Sequence, residues 1–240
     1  MKSKKLIIVA AVILVLFLIS CTSPAPETTS SPEESSGTQW GTIQPSSRVK
    51  EPAPNADIVA LLQRNKDVTN YHYVFDADKV EGYEVFISGS NVKKVYIDAK
   101  PLRGDIFYNT IYLNRETKTA VGICNKPGVT CGAIWNKAYI VDYESENIGP
   151  TPVEMIDTVR NPQEVGSEVM LNRDLTIIEF INADGKKERW SLDDFYGLPS
   201  RQVIYSSDEE IEESHTFIKL SVGQVQEEEV RLPEEYIIQE

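Results

Sequence analysis

The sequence has few of the residues that carry out chemistry in enzymes and metal sites. Only two histidines and three cysteines occur among its 240 residues, and none of them stands at the spacing of a zinc or haem site. A nucleophile elbow, a metalloprotease helix motif, a phosphate-binding loop and a glycine-rich dinucleotide fingerprint are all missing. We therefore expect a protein that is not an enzyme and that has no cofactor and no metal.

Basic residues are scarce relative to acidic ones. Lysine and arginine number 24 against 37 aspartates and glutamates, which gives a formal net charge of −13. Three of the lysines, Lys2, Lys4 and Lys5, precede the first apolar run, so the rest of the chain is more acidic still. A chain of this charge repels phosphate backbones, and no basic stripe with interleaved aromatics is present. The composition argues against a nucleic-acid partner.

Long hydrophobic runs are limited to one, at residues 6–19, which is shorter than the roughly 20 apolar residues of a membrane-spanning helix. A basic start, a short apolar core and a small residue at its end are typical of an export signal. Leu18-Ile19-Ser20-Cys21 resembles the lipobox of exported lipoproteins, in which the cysteine receives a diacylglycerol and becomes the N-terminus. Residues 1–20 are therefore predicted to be a lipoprotein signal peptide and Cys21 the lipidation site, at the extracytoplasmic face of the cell membrane. An uncleaved N-terminal membrane helix is the alternative, and it leaves the protein on the same side.

Residues 21–54 contain little that could form a hydrophobic core. Serine, threonine, proline and glutamate dominate this stretch, and such a composition buries too little apolar surface to offset its ordering entropy. We predict a disordered tether here, followed by one folded domain over residues 55–240, which is long enough for a sizeable core.

Cys124 and Cys131 are the two cysteines of the predicted domain. Outside the cytoplasm, two leftover cysteines this close in sequence favour a disulfide that closes a short loop. A redox-active pair is the alternative, but the spacing is not Cys-x-x-Cys and no helix N-terminus is evident.

Alternating hydrophobicity dominates the domain. Segments such as residues 71–76 show the two-residue period of strands, and the series, which ends at residues 226–232, comprises about ten or eleven strands. Helices are predicted at residues 56–66 and directly after Thr151, where Thr151-Pro152-Val153-Glu154 matches a capping box. Because turns rather than crossovers join consecutive strands, we expect a mainly β (α+β) protein with one large curved antiparallel sheet.

Several strands are apolar on both faces. Leu175 and Ile177, for example, oppose Ile178, whereas a sheet with one wet face would alternate more cleanly between apolar and polar residues. Something must cover the second face. Two explanations stay open: an apolar ligand, or a closed barrel or sandwich filled by the protein's own side chains.

Trp190 lies in a predicted strand that is followed by Asp193-Asp194, the turn Gly197-Leu198-Pro199 and a strand that begins at Arg201. This arrangement, together with the closing segment at residues 225–233, resembles the outer-membrane lipoprotein carrier superfamily (LolA/LolB-like). The resemblance implies an incomplete barrel of about 10–11 antiparallel strands, with two or three short helices that cover an apolar cavity for acyl chains. The lipobox departs from the soluble carrier and suits a lipid-anchored member, and the cysteine pair and the acidic tail are not part of the pattern.

The predicted function is to bind acyl chains of lipids or lipoproteins in a hydrophobic cleft, as a monomeric, non-catalytic carrier or receiver. Burial alone can drive such binding, since a sixteen-carbon chain such as palmitate would gain on the order of 10 kcal/mol before ordering costs are subtracted. The predicted lining residues come from strands and from the helical lid: Tyr73, Phe75, Val85, Ile87, Val95, Ile97, Phe107, Ile111, Met155, Ile156, Ile178 and Phe180. Ordinary core packing is the alternative for each of them.

A second hypothesis on the same fold is an envelope sensor or interaction module. Residues 208–213 and 227–229 are strongly acidic and would suit a basic partner. The alternative is a solvated loop and an edge strand whose charge prevents aggregation.

Overall fold

The computed structural model describes residues 55–77, 80–125 and 136–239. Residues 1–54, with Cys21, and also Cys131 lie outside this part of the chain, so the signal peptide, the lipidation, the tether and the disulfide stay predictions. Cys124 is buried directly after a strand. Within the described ranges, no helix has the length and the hydropathy that crossing a membrane requires.

Twelve strands form one sheet in the described part of the chain: β1 (Asn70–Ala77), β2 (Val80–Ser88), β3 (Asn91–Arg103), β4 (Ile106–Asn114), β5 (Thr119–Ile123), β6 (Lys137–Ile140), β7 (Gln163–Met170), β8 (Arg173–Ile181), β9 (Lys187–Asp193), β10 (Pro199–Tyr205), β11 (Ile211–Val222) and β12 (Ile237–Gln239). β1 to β6 follow one another as antiparallel neighbours, and so do β7 to β11. Antiparallel pairing of β1 with β11 joins the two series, and β12 lies parallel to β6.

The sheet is curved, and its two edge strands, β12 and β7, do not pair with each other. The predicted fold class, a mainly β protein with an incomplete barrel and a few short helices, is confirmed. The strand count is twelve instead of ten or eleven. β12 adds a strand that the pattern did not show, because three residues are too few to display an alternation.

Short helices lie against one face of the sheet, which we call the inner face and which carries Tyr73, Val85 and Ile111. α1 (Ala56–Gln63) begins after Asn55, whose side chain accepts a hydrogen bond from a backbone N–H of the first turn. α2 (Tyr143–Glu146) was not predicted, and α3 (Pro152–Met155) continues into a 3-10 turn at Ile156–Thr158. Buried residues of α1 and α3 form one core cluster with residues of the inner face.

Residues 226–232 do not form the strand that we predicted. Glu227–Val230 is a 3-10 turn that packs against β2 and β3, and Lys93, on the outer face of β3, lies 3.9 Å from Glu229. Val225 and Val230 are both buried, and their spacing does not fit the two-residue period of a strand. Here the chain itself covers the second face of the sheet.

Candidate ligand-binding cleft

A cleft of about 400 Å³ lies at the inner face, between β1, β9, β10, β11 and the segment that contains α3. Three neighbouring strands each contribute two lining residues that are two positions apart, as expected for side chains on the same face of a sheet: Glu188 and Trp190, Gln202 and Ile204, and His215 and Phe217. The cleft is therefore a direct product of strand register.

Aromatic rings form much of its apolar wall. Trp190 is 0% exposed and Phe217 is 3% exposed. The ring of Phe75 lies 5.6 Å from that of Phe217, and Phe180 packs edge-on against Trp190 at a centroid distance of 5.1 Å. These packed rings give the cleft a preformed apolar surface.

Met155 is held at the cleft by the start of α3. The side chain of Thr151 accepts a hydrogen bond from the backbone N–H of Glu154, whose carboxylate accepts one from the backbone N–H of Thr151, so the predicted capping box is confirmed. Tyr71 donates its hydroxyl hydrogen to Thr151 Oγ1 over 2.6 Å, and Arg115 lies 2.7 Å from the Glu154 carboxylate. Burial raises the pKa of Tyr71 to about 12, so its hydroxyl keeps the proton that it donates.

Glu188 contributes a buried carboxylate to the wall, with 6% of the residue exposed. Trp190 Nε1 and Gln202 Nε2 donate hydrogen bonds to its Oε2 over 2.8 and 2.9 Å. Asn182 Nδ2 donates to its Oε1 over 2.7 Å. All three donors are neutral, so protein dipoles solvate the carboxylate, and no Lys or Arg of the described residues forms an ion pair with it.

His215 extends this polar wall. Because Gln202 donates its amide hydrogen to Glu188, its Oε1 is the acceptor for His215 Nδ1, which lies 3.0 Å away. His215 Nε2 lies 3.7 Å from a carboxylate oxygen of Glu213. No serine or cysteine is among the described residues that line the cleft, and the hydroxyl of Thr158, which does line it, donates a hydrogen bond to the backbone carbonyl of Met155 over 2.7 Å.

Beyond the cleft, the protein's own side chains fill much of the interior. Glu146 of α2 is 4% exposed and accepts hydrogen bonds from the hydroxyls of Tyr96 and Tyr108 over 2.7 and 2.6 Å. Lys94 Nζ lies 3.4 Å from the same carboxylate. Burial lowers the pKa of Lys94, while Glu146 opposes that shift. Burial and the bond to Glu146 raise the pKa values of both tyrosines.

The structure brings only some of the predicted lining residues to the cleft. Phe75 and Met155 line it. Six others are core residues that are no more than 4% exposed: Tyr73, Val85, Ile87, Ile111, Ile156 and Ile178. For these six residues, the structure resembles ordinary core packing, which was the alternative to a place in the lining of the cleft.

The remaining four predicted residues lie elsewhere. Phe180 packs against Trp190 and also borders a second groove of about 340 Å³ beside β7, and Phe107 is half-buried at the start of β4. Val95 and Ile97 lie on the outer face of β3, and Ile97 is 64% exposed. β3 turns Lys94 inward instead, where its charge meets Glu146.

Sequence reasoning missed the residues that make the cleft distinctive: Glu188, Trp190, Gln202, His215 and Phe217. A signal was present in β9, where Glu188 alternates in phase with Trp190 and Leu192. A glutamate on the same face as a tryptophan and a leucine is a buried carboxylate, and buried carboxylates need partners.

The acidic segment near the end of the chain is partly neutralised within the protein. Lys187 lies 3.0 Å from Glu209, and Lys186 lies 2.7 Å from Glu212. Lys186 lies in the loop that follows β8, and Lys187 lies at the start of β9. These two lysines therefore neutralise part of the negative charge that the acidic segment would present to a basic partner. Across the described ranges, no group of three or more side chains is arranged to hold a metal ion.

Comparisons with known proteins give matches of structure only. No family model matches the sequence, and no curated protein matches it. Among solved structures, LprF from Mycobacterium bovis matches with 11% identity over 76% of this chain and 99% of its own, at a TM-score of 0.47. The LolA superfamily protein NE2245 from Nitrosomonas europaea matches with 11% identity over 73% of this chain and 97% of its own, at a TM-score of 0.27.

The MucA/MucB complex structure from Pseudomonas aeruginosa is a further match, with 12% identity over 75% of this chain and a TM-score of 0.42. The chain spans only 61% of the matched protein's length. Identities and TM-scores of this size assign neither a family nor a ligand to this chain.

Proposed function

We propose that this protein is tethered outside the cytoplasm through a lipid on Cys21 and holds one hydrocarbon chain of a lipid or lipoprotein in the cleft, as a non-catalytic carrier or receiver. The observation that carries the proposal is the preformed cleft of about 400 Å³, with Phe75, Met155, Trp190 and Phe217 in its walls. Apolar surface of this kind gains free energy when hydrocarbon replaces water.

The volume of the cleft is about that of one hydrocarbon chain. At roughly 30 Å³ per water-sized group, about a dozen non-hydrogen atoms fill the cleft. A dodecyl chain of this size gains up to roughly 9 kcal/mol, at about 0.8 kcal/mol per methylene, before the costs of ordering and association are subtracted. The several chains of a whole lipoprotein anchor exceed the space, so the proposal concerns a single chain or a chain end.

A neutral amphiphile tests the cleft itself. We expect dodecanol brominated at its terminal carbon to quench the emission of Trp190, because a bromine in the cleft lies close to the indole in the cleft wall. The experiment uses the full chain in phosphatidylcholine nanodiscs, with Trp40 and Trp135 changed to phenylalanine so that Trp190 is the single emitter of the three tryptophans. In the Thr158→Phe variant the added ring occupies the cleft, and the dissociation constant should rise at least about tenfold.

Ser167→Phe is the matched control, because Ser167 is exposed on the edge strand β7 and does not line the cleft. It should leave quenching unchanged. Equal quenching in wild type and Thr158→Phe, or no saturable quenching above that of empty nanodiscs, would contradict the proposed function.

The tether is tested by the mass of the intact protein. We expect the membrane-bound wild type to lack residues 1–20 and to carry the added mass of acyl chains on Cys21, and we expect Cys21→Ser to retain residues 1–20 without that mass. A wild type that keeps residues 1–20 would support an uncleaved membrane helix instead.

A further inference from the structure

The charged residues that line the cleft are acidic. Its acidic lining residues are Asp184 and Glu188, whereas no lysine or arginine is among the described residues that line it. His215 is the single lining residue there that can become cationic, and its imidazole already has Gln202 and Glu213 as neighbours. An anionic head group would therefore enter a site that offers it no basic partner.

Of the two acidic lining residues, Glu188 is the buried one. Its three hydrogen-bond donors, Asn182, Trp190 and Gln202, are neutral, and no ion pair to Glu188 occurs in the described part of the chain. The nearest basic residues in sequence are engaged elsewhere, Lys186 with Glu212 and Lys187 with Glu209. Burying an ion without a counter-ion is unfavourable even when dipoles solvate it, so a cation in the cleft would be stabilised.

The surroundings favour a cation as well. Phe75 is the half-buried ring among the aromatic residues that line the cleft, and an aromatic ring attracts an ammonium group, most strongly where water is excluded. The net charge of −13 also draws cationic molecules toward the protein and repels fatty-acid carboxylates.

We propose that the cleft selects single-chain amphiphiles whose head group carries an ammonium, with the head beside Glu188 and the chain along the apolar wall. This inference rests on the proposed function of the cleft and names its ligand class. It departs from palmitate and other free fatty acids, whose carboxylate would face Glu188.

Displacement of the brominated dodecanol tests the selectivity. In the same nanodiscs at neutral pH, dodecylammonium should restore the emission of Trp190 at a concentration at least about tenfold lower than dodecanoate, the factor expected for one charge-assisted hydrogen bond. Glu188→Gln should reduce this preference to about threefold or less while it still binds the neutral dodecanol, which shows that the cleft is intact.

Asp208→Asn is the matched control, because it removes one negative charge at an exposed position that does not line the cleft. It should change the preference less than about twofold, since exposed charges are screened. Equal displacement by dodecylammonium and dodecanoate in the wild type would overturn the ammonium inference while leaving the proposed function intact. Failure of the brominated dodecanol to bind would overturn both.

Discussion

Replacing Gly197 with alanine should lower the free energy of unfolding by about 3 kcal/mol or more. Gly197 has a φ of +70°, and a Cβ atom added there would overlap the backbone carbonyl oxygen of Leu61. Left-handed backbone costs an ordinary residue about 1–2 kcal/mol. The overlap adds to this, because a backbone oxygen moves only if the end of α1 moves with it.

The turn around Gly197 is fastened to α1 by further contacts. Arg64 donates to the backbone carbonyls of Asp194 and Phe195, and Asn65 donates to that of Tyr196 over 2.6 Å. Lifting α1 away from the turn therefore weakens several hydrogen bonds at once. The measurement is urea unfolding of the full chain at constant m-value.

Gly185→Ala is the control for backbone conformation alone. Gly185 has a φ of +78°, but a Cβ added there meets no atom within 4 Å. Its loss should be limited to about 1 kcal/mol. If the free energy of unfolding falls by the same amount in both alanine variants, the close approach of α1 does not contribute to the effect of the change at Gly197.

The second large effect is expected from Glu146→Gln, with a loss of about 3 kcal/mol. The change leaves Lys94 buried without its counter-ion, and Lys94 is only 4% exposed. Adding Lys94→Met to Glu146→Gln removes the stranded charge. We therefore expect the double variant to be more stable than the sum of the single losses predicts, with a coupling of about 2 kcal/mol.

The loss in Glu146→Gln should depend on pH. Burial lowers the pKa of Lys94 and Glu146 opposes that shift, so removal of the carboxylate lowers this pKa further. The unfolded lysine then binds its proton more tightly than the folded one, and the free energy of unfolding rises with pH between the two pKa values. Relative to wild type, the variant should recover stability as the pH rises through the alkaline range below the usual lysine pKa of about 10.4. A pH-independent difference, or strictly additive losses, would contradict the ion-pair account.

Local features of the fold were readable in the sequence. The capping box at Thr151 and the Gly197-Leu198-Pro199 turn both depend on neighbouring residues, and the structure shows both of them. The prediction for residues 226–232 was wrong because the 3-10 turn there is fixed by contacts with β2 and β3, which lie far away in the chain. A period of two residues does not reveal such contacts.

The candidate cleft was predictable only in outline. For β3, alternation allowed either Val95 and Ile97 or Lys94 and Tyr96 to face inward, and hydrophobicity favoured the first pair. The second pair faces inward because Glu146, on a helix that was not predicted, compensates Lys94 and accepts from Tyr96. The phase of a strand with apolar residues on both faces is set by such distant partners.

The pairing of β1 with β11 has a consequence for the order in which the molecule can be completed. Until residue 222 has emerged from the ribosome or an export channel, the first half of the sheet ends at β1, which pairs with β2 but has no partner along its other edge. Unpaired strand edges of this kind promote association between nascent chains. β11, which lies in the last eighth of the polypeptide, therefore covers the free edge of β1, and truncations before β11 should aggregate rather than leave a smaller stable protein.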